Sequence, residues 1–274
     1  MAEPTSFLQQ YWYVFALIVF LIVIHRWISA YFGGRVNLAT EFPVVWAALL
    51  TYYVVRGVSG QDREWAMTNA RHVVDFEKAV GLFHEEQMQA FVMRFEPLTK
   101  LFNWVYVWWY WPMILGVLTW LCIWKPDRYL YYRNAMLFSG AIGLSMFLLF
   151  PLAPPRFLND MGFVDTIATG SSFSDYVRPA SLTNHYAAMP SFHLGWNFLL
   201  AVAIVRNAGH YAWRGFGMIS PMMMFLAIIV TGNHYIIDGF AGLLVAMAGL
   251  KLAGMWERRS ETPELQHEMV PISS

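Results

Sequence analysis

Seven apolar segments divide the chain, at roughly residues 11–32, 42–56, 101–124, 131–151, 190–206, 215–232 and 235–255. A helix needs about 20 predominantly apolar residues to cross a bilayer, so the second and fifth segments are short for that task. Charged residues make up 13% of the chain and hydrophobic ones 58%, whereas a soluble domain carries about 25% charged residues. Apolar segments in this number predict an all-α fold: a polytopic membrane bundle of six to seven spans with interfacial amphipathic helices. The first ten residues, MAEPTSFLQQ, hold no Lys or Arg. A secretory signal starts basic, so the first apolar run reads as a retained span.

Formal net charge is zero, which does not suggest a basic, nucleic-acid-binding surface. The one cysteine, Cys122, excludes an intrachain disulfide. The expected organisation is N-terminal spans over 1–56, a helical bundle over 57–256 and a flexible tail over 257–274. Pro43, Pro112, Pro190 and Pro221 mark expected helix ends or kinks. Between residues 57 and 100 apolar side chains recur at threes and fours, as in Val73, Phe76, Val80 and Phe83. That spacing predicts amphipathic helices at the interface or over one end of the bundle. Residues 152–189 are rich in Pro, Gly, Ser, Asp and Asn and read as an irregular loop.

With seven spans, the loop 152–189 and the turn near 232–234 share one side. Short connections carrying Arg26, Arg35, Lys125, Arg128, Arg133, Arg206 and Arg214 share the other. Short basic loops favour the cytoplasm, which places the 152–189 loop outside.

Three stretches carry candidate chemistry. In TGNHYIIDGFAG (231–242), His234 and Asp238 are four apart, a spacing that stacks them on one helix face. A carboxylate on one imidazole nitrogen fixes the tautomer and leaves the other nitrogen free to attack. The same pair could instead tie two helices together. In HYAAMPSFHLGWNF (185–198), Pro190 suits a first helical turn, so Ser191 and His193 fall at a helix N-terminus that favours an anion. Ser191 could equally be a plain helix cap, with His193 an interfacial polar residue. In FPLAPPRFL (150–158), Arg156 ends a span, where its guanidinium can clamp phosphate oxygens or bind lipid head groups. Phosphoryl transfer needs a nucleophile, an acid for the leaving oxygen and cationic clamps, and these residues supply each.

On these residues the chain resembles the type 2 phosphatidic acid phosphatase superfamily, and within it the branch that includes fungal inositol phosphorylceramide synthase. The matching pieces are APPR (153–156), YAAMPSFHLGW (186–196) and NHYIID (233–238), with NARHVVDFEKAVGLFHEEQMQ also family-like. The resemblance implies a lipid phosphatase or phosphotransferase that forms a phosphohistidine at His234. Asp238 would orient that ring, His193 would protonate the leaving group, and Ser191 and Arg156 would hold phosphate oxygens. It implies no metal and no cofactor. The implied partners are a phospholipid donor, such as phosphatidylinositol, and a lipid, sugar or water acceptor, at the outer face of the cell membrane.

The chain departs from the broad superfamily in three places. No Lys stands six residues ahead of an Arg-Pro pair, Phe192 replaces a Gly, and Ala227 and Ile228 replace a Ser-Arg pair. Arg178, His185 and Asn233 are the candidate replacements for the missing phosphate-binding arginine.

Two other readings fit some of these residues. His185, His193, His234 and Asp238 could be zinc ligands, which leaves Ser191 and Arg156 idle. A transporter with an intramembrane His/Asp relay is the alternative from another class. Against it, the charged groups cluster at span ends and no inverted repeat is visible. Tryptophans over 104–124 could line an acyl or acceptor groove, although bundle packing and interfacial anchoring account for them more simply.

Overall fold

The computed structural model describes residue 36 and residues 38–58, 62–170 and 186–268. Nine α-helices occur among them: α1 (Leu38–Val58), α2 (Arg63–Ala79), α3 (Glu85–Met93), α4 (Glu96–Trp124), α5 (Pro126–Leu149), the short α6 (Thr166–Gly170), α7 (Phe192–Asn207), α8 (Tyr211–Val230) and α9 (Ile236–Glu268). Helix α4 is π-helical over Val105–Trp109. Among the described residues the sole β-type pairing is a single bridge between Leu152 and Ala187.

Local chemistry sets several boundaries. Asp62 caps α2 by accepting from the Trp65 amide at 2.9 Å, and Pro126 occupies the first turn of α5. Ser191 caps α7 directly after Pro190. Pro43, Pro112 and Pro221 lie inside helices rather than at their ends. Helices packed in a bundle tolerate proline because neighbours satisfy the freed carbonyl.

Three of these helices are long and apolar enough to cross a membrane: Glu96–Trp124, Tyr211–Val230 and the Ile236–Arg259 part of α9. The apolar run 11–32 lies outside the described residues. Helix α7, with 16 residues, is about 24 Å long at 1.5 Å per residue, short of the roughly 30 Å hydrocarbon layer. Helix α5 carries Asp127, Arg128 and Arg133 in its first half. Arg133 pairs with the buried Glu41 of α1 at 2.6 Å, which ties α1 to α5. Helix α9 continues to Glu268, through much of the stretch expected as a tail.

One apolar core lies between α4, α5, α7 and α9, around Leu121, Tyr132, Leu199 and Ala246. A second, around Met224, Ile228 and Leu194, joins α8 to α4 and α7. A third sits under α2 and gathers Ala66, Ala70, Val74, Leu152, Leu158, Ala188 and Tyr235. Helix α2 presents one face to this third core. That face runs through Ala66, Asn69, Ala70, Val73 and Glu77, while Phe76 and Val80 are exposed. Small side chains let α2 sit close over the bundle end, and the larger apolar ones turn outward, where a membrane surface can cover them.

Helices α7 and α9 meet backbone to backbone. A β-carbon on Gly242 would collide with the carbonyl oxygen of Ser191, and one on Gly195 with the carbonyl oxygen of Gly242. Small residues permit this approach between apolar helices. Gly242→Ala should therefore destabilise the fold by about 1–3 kcal/mol through overpacking. Gly116→Ala, whose β-carbon meets nothing within 4 Å, should not. Thermal unfolding of both variants in one detergent checks this.

Candidate active site

The site is built where α7 and α9 begin. Ser191 donates its amide to the Asp238 carbonyl at 3.0 Å, so the first turns of the two helices are joined directly. Beside them the chain at 151–153 is fixed from both sides. Leu152 donates to Tyr186 O at 2.8 Å and accepts from the Ala188 amide at 3.2 Å. Asn69 of α2 donates to Pro151 O at 2.8 Å, and the Tyr235 hydroxyl donates to Ala153 O at 3.0 Å. Gly232 has φ +70°, a left-handed conformation that favours glycine, and its carbonyl accepts from the Arg156 amide at 2.8 Å. This turn carries Asn233 and His234 into the bundle end.

His234 is buried, with 5% exposure. Its Nδ1 lies 2.8 Å from the Ala188 carbonyl oxygen. A carbonyl only accepts, so Nδ1 carries the hydrogen and Nε2 keeps the lone pair. Asp238 Oδ2 is farther from Nδ1, at 3.5 Å, and accepts from the Tyr235 amide at 3.0 Å. The closer partner of the ring is thus a backbone carbonyl, with Asp238 behind it capping α9. Burial pushes the His234 imidazole down to about 3; the Ala188 bond opposes this and the nearby Arg156 charge adds to it.

His193, in the first turn of α7, faces His234 with ring centroids 6.0 Å apart at 57°. Two tyrosines of α4 hold it. Tyr106 stacks on His193 at 4.4 Å and 17°, and Tyr110 lies 4.6 Å away at 36°. Tyr106 also sits 6.4 Å from His234, so it borders both imidazoles. Tyr106 falls in the π-helical segment and Tyr110 directly follows it; such segments recur at functional sites.

Arg156 reaches the same turn. Its guanidinium donates to Asn233 Oδ1 and lies 3.4 Å from Asp165 Oδ2, and its side chain is 8% exposed. Asn233 in turn donates to the Thr231 hydroxyl at 2.9 Å. Asn233 thus fixes the arginine beside His234. Ser191 is fully buried, and its hydroxyl accepts from the Leu194 amide at 3.4 Å as a helix cap. His193, His234, Asp238, Ser191, Arg156 and Asn233 therefore gather at one end of the bundle. Arg178 and His185 lie outside the described residues. Among the described residues no three His, Cys, Asp or Glu side chains are grouped as metal ligands.

Sequence reasoning missed the two tyrosines and three polar residues from α2 and α3. Glu77 and Glu85 bond to the backbone of α9. Gln89 donates to Val164 O at 2.9 Å and Val230 O at 3.1 Å. The four-residue spacing of Tyr106 and Tyr110 was a visible signal, hidden in an aromatic run.

The chain is similar to the phosphoinositol dihydroceramide synthase of Bacteroides thetaiotaomicron, 26% identical over 156 residues. That alignment covers 50% of this chain and 49% of the relative, so the chain spans about half the length of the protein it matches. No solved structure matches the chain. The model of the PAP2 superfamily matches residues 71–252, which take in the described side chains around His193 and His234, and the chain belongs to that superfamily.

Proposed function

We propose that the protein is an integral membrane lipid phosphotransferase working through a phosphohistidine at His234. The observation that carries this reading is the approach of the two imidazoles to 6.0 Å between ring centroids, with Arg156 fixed at the same turn. Reacting atoms about 3–3.5 Å apart are the geometry for attack, and two imidazoles at this separation can both reach a single phosphoryl group.

In the first half-reaction His234 Nε2 attacks phosphorus and the bond from phosphorus to the leaving alcohol breaks. His193 gives its proton to the departing oxygen. Arg156 bears charge developing on the non-bridging oxygens, and the amides opening α7 add to it. In the second half-reaction an acceptor hydroxyl loses its proton to His193 and attacks phosphorus. The phosphorus–nitrogen bond breaks and its electron pair returns to His234. Asp238 and the Ala188 carbonyl keep the His234 ring oriented throughout.

A dihydroceramide-type acceptor is taken from the likeness to the Bacteroides synthase, and phosphatidylinositol is the donor that the family resemblance implies. Diacylglycerol is then the leaving alcohol. An apolar cavity of about 550 Å³ lies between α4, α7 and α8, towards the Ile204 end of α7, and is lined by none of the catalytic side chains. Trp109, Met113, Val117, Ile204 and Phe216 are among its lining residues, and Trp109 adjoins Tyr110 on His193. The site faces outward in a bundle of six or seven spans, since α7 has His193 at one end and Arg206 at the other, with Arg214 following in α8.

Incubation of the purified protein with labelled phosphatidylinositol and ceramide should yield labelled phosphorylated ceramide. Release of inositol phosphate alone would instead mark water as the acceptor. His234→Ala should abolish both transfer and acid-labile labelling of the protein while the fold persists; full activity in this variant removes the nucleophile assignment. His193→Ala should slow a lipid diester far more than an activated aryl phosphate, which leaves without a proton. Equal losses on both substrates take His193 out of the acid role.

The depressed His234 also sets a pH dependence. An unfolded histidine takes up a proton near 6.5, whereas the folded ring resists until about 3. The corresponding stability is present above about pH 6.5 and is lost as pH falls toward 3. Thermal unfolding should therefore weaken over that window less steeply in His234→Asn than in the unsubstituted protein.

A further inference from the structure

Three consecutive amides open α9 and its approach, and each is taken by a different carboxyl. Tyr235 N donates to Asp238 Oδ2 at 3.0 Å, Ile236 N to Glu85 Oε1 at 2.9 Å and Ile237 N to Glu77 Oε1 at 2.8 Å. Free amides at a helix start attract negative charge, and one carboxylate commonly suffices. Here two come from more than 140 positions away in the sequence, across the turn between α2 and α3. Gly81, with φ +73°, reverses the chain there, and the Glu77 carbonyl accepts from the Leu82 amide at 2.7 Å.

Glu77 and Glu85 are both fully buried. The second oxygen of each, Oε2, receives no hydrogen bond from a donor among the described residues, and the two carboxyls lie against each other. Two carboxylates buried side by side repel strongly, while one proton between them turns the contact into an O–H···O⁻ bond.

We propose that Glu77 and Glu85 hold a single proton between them and act as one positioning clamp for the turn that carries His234. This rests on the reading of His234 as the phosphoryl acceptor. Burial, and next the bond to Glu85, push Glu77 up to about 9. The ionisable groups facing the pair are Asp238 and Tyr235 at the start of α9. Asp238 raises Glu77 further, and only the Ile237 amide pulls the other way. The pair therefore keeps its proton at neutral pH. The unfolded chain releases that proton near 4.5, so the stability it lends is full below that pH and is lost as pH rises toward about 9.

The clamp acts on His234 through a short path. Ile236 and Ile237 follow His234 by two and three residues, and the His234 amide is itself held by Ile228 O at 3.1 Å. Loss of the shared proton would drive the carboxyls apart and shift the first turn of α9. The imidazole would then move relative to the Ala188 carbonyl.

The test is ¹⁵N NMR of the histidine rings in the full-length protein in detergent, from pH 6 to pH 11, with the His234 signal assigned by its loss in His234→Ala. The His234 Nδ1 signal should move with a midpoint at about 9, the value to which Glu77 is raised. In Glu77→Gln that movement should be absent, because the amide supplies a permanent N–H donor to Glu85 and still accepts from Ile237. Glu85→Gln should behave alike and serves if Glu77→Gln does not fold. In transfer assays Glu77→Ala should lose at least tenfold in kcat with KM little changed, and Glu77→Gln should recover most of that loss. A His234 signal flat over this range, or moving equally in both Gln variants, overturns the shared proton. Equal kcat losses in Ala and Gln overturn the positioning role. An NMR response as described in a protein without phosphoryl transfer would retain the clamp and discard the catalytic reading instead.

Discussion

Everything at the bundle end depends on how closely α7 and α9 approach. Gly195 and Gly242 bring the two backbones into contact, and the Ser191 amide can then reach the Asp238 carbonyl. A side chain at either glycine would hold the helices apart. The consequence reaches the imidazoles, since His193 sits two residues from Gly195 and His234 four residues before Asp238. In a membrane, where apolar burial between helices yields little, such packing and the hydrogen bonds it permits hold helices together.

Around that contact the polar groups are arranged by depth and partner. His234 is buried but bonded to a carbonyl, Arg156 is held by Asn233 and Asp165, and the Glu41–Arg133 pair ties α1 to α5. A buried ion pair adds little net stability, but removing one partner is costly because the other charge is left uncompensated. These pairs therefore fix geometry more than they add stability. The cap formed by α2 and α3 contributes in the same way. Its small apolar residues allow close packing, and Asn69, Glu77, Glu85 and Gln89 bind the backbone of the segments that form the site.

The helices were legible because apolar runs of this length have few alternatives in a bilayer. Six of the seven runs fall on α1, α4, α5, α7, α8 and α9. Their lengths and charges, rather than their number, decide which can span: α7 is short and α5 begins with charged turns. The four-residue spacing of His234 and Asp238 was also readable. The order of their contacts was not, because the Tyr235 amide competes for the same carboxylate oxygen and the Ala188 carbonyl arrives from a distant segment. Glu77 and Glu85 sit in a stretch whose charges resemble a solvated face. Only the amides of α9 reveal what they bind. Tyr106 and Tyr110 were masked by their aromatic neighbours, since stacking on a histidine leaves no mark distinct from ordinary packing.

The π-helical stretch of α4 has a geometric consequence of its own. A π turn holds about one residue more than an α turn, so it acts as an insertion confined to a single turn. Removing one residue there would close the turn back to α geometry and re-aim the side chains of Val105–Trp109, while both flanks of α4 stay in place. The Tyr106 ring would swing away from the two imidazoles while Tyr110 and the rest of α4 kept their register. The aromatic wall over the histidines can thus be altered by single-residue insertions or deletions without rebuilding the transmembrane scaffold, a route by which related chains could come to admit or exclude water from the same chemistry.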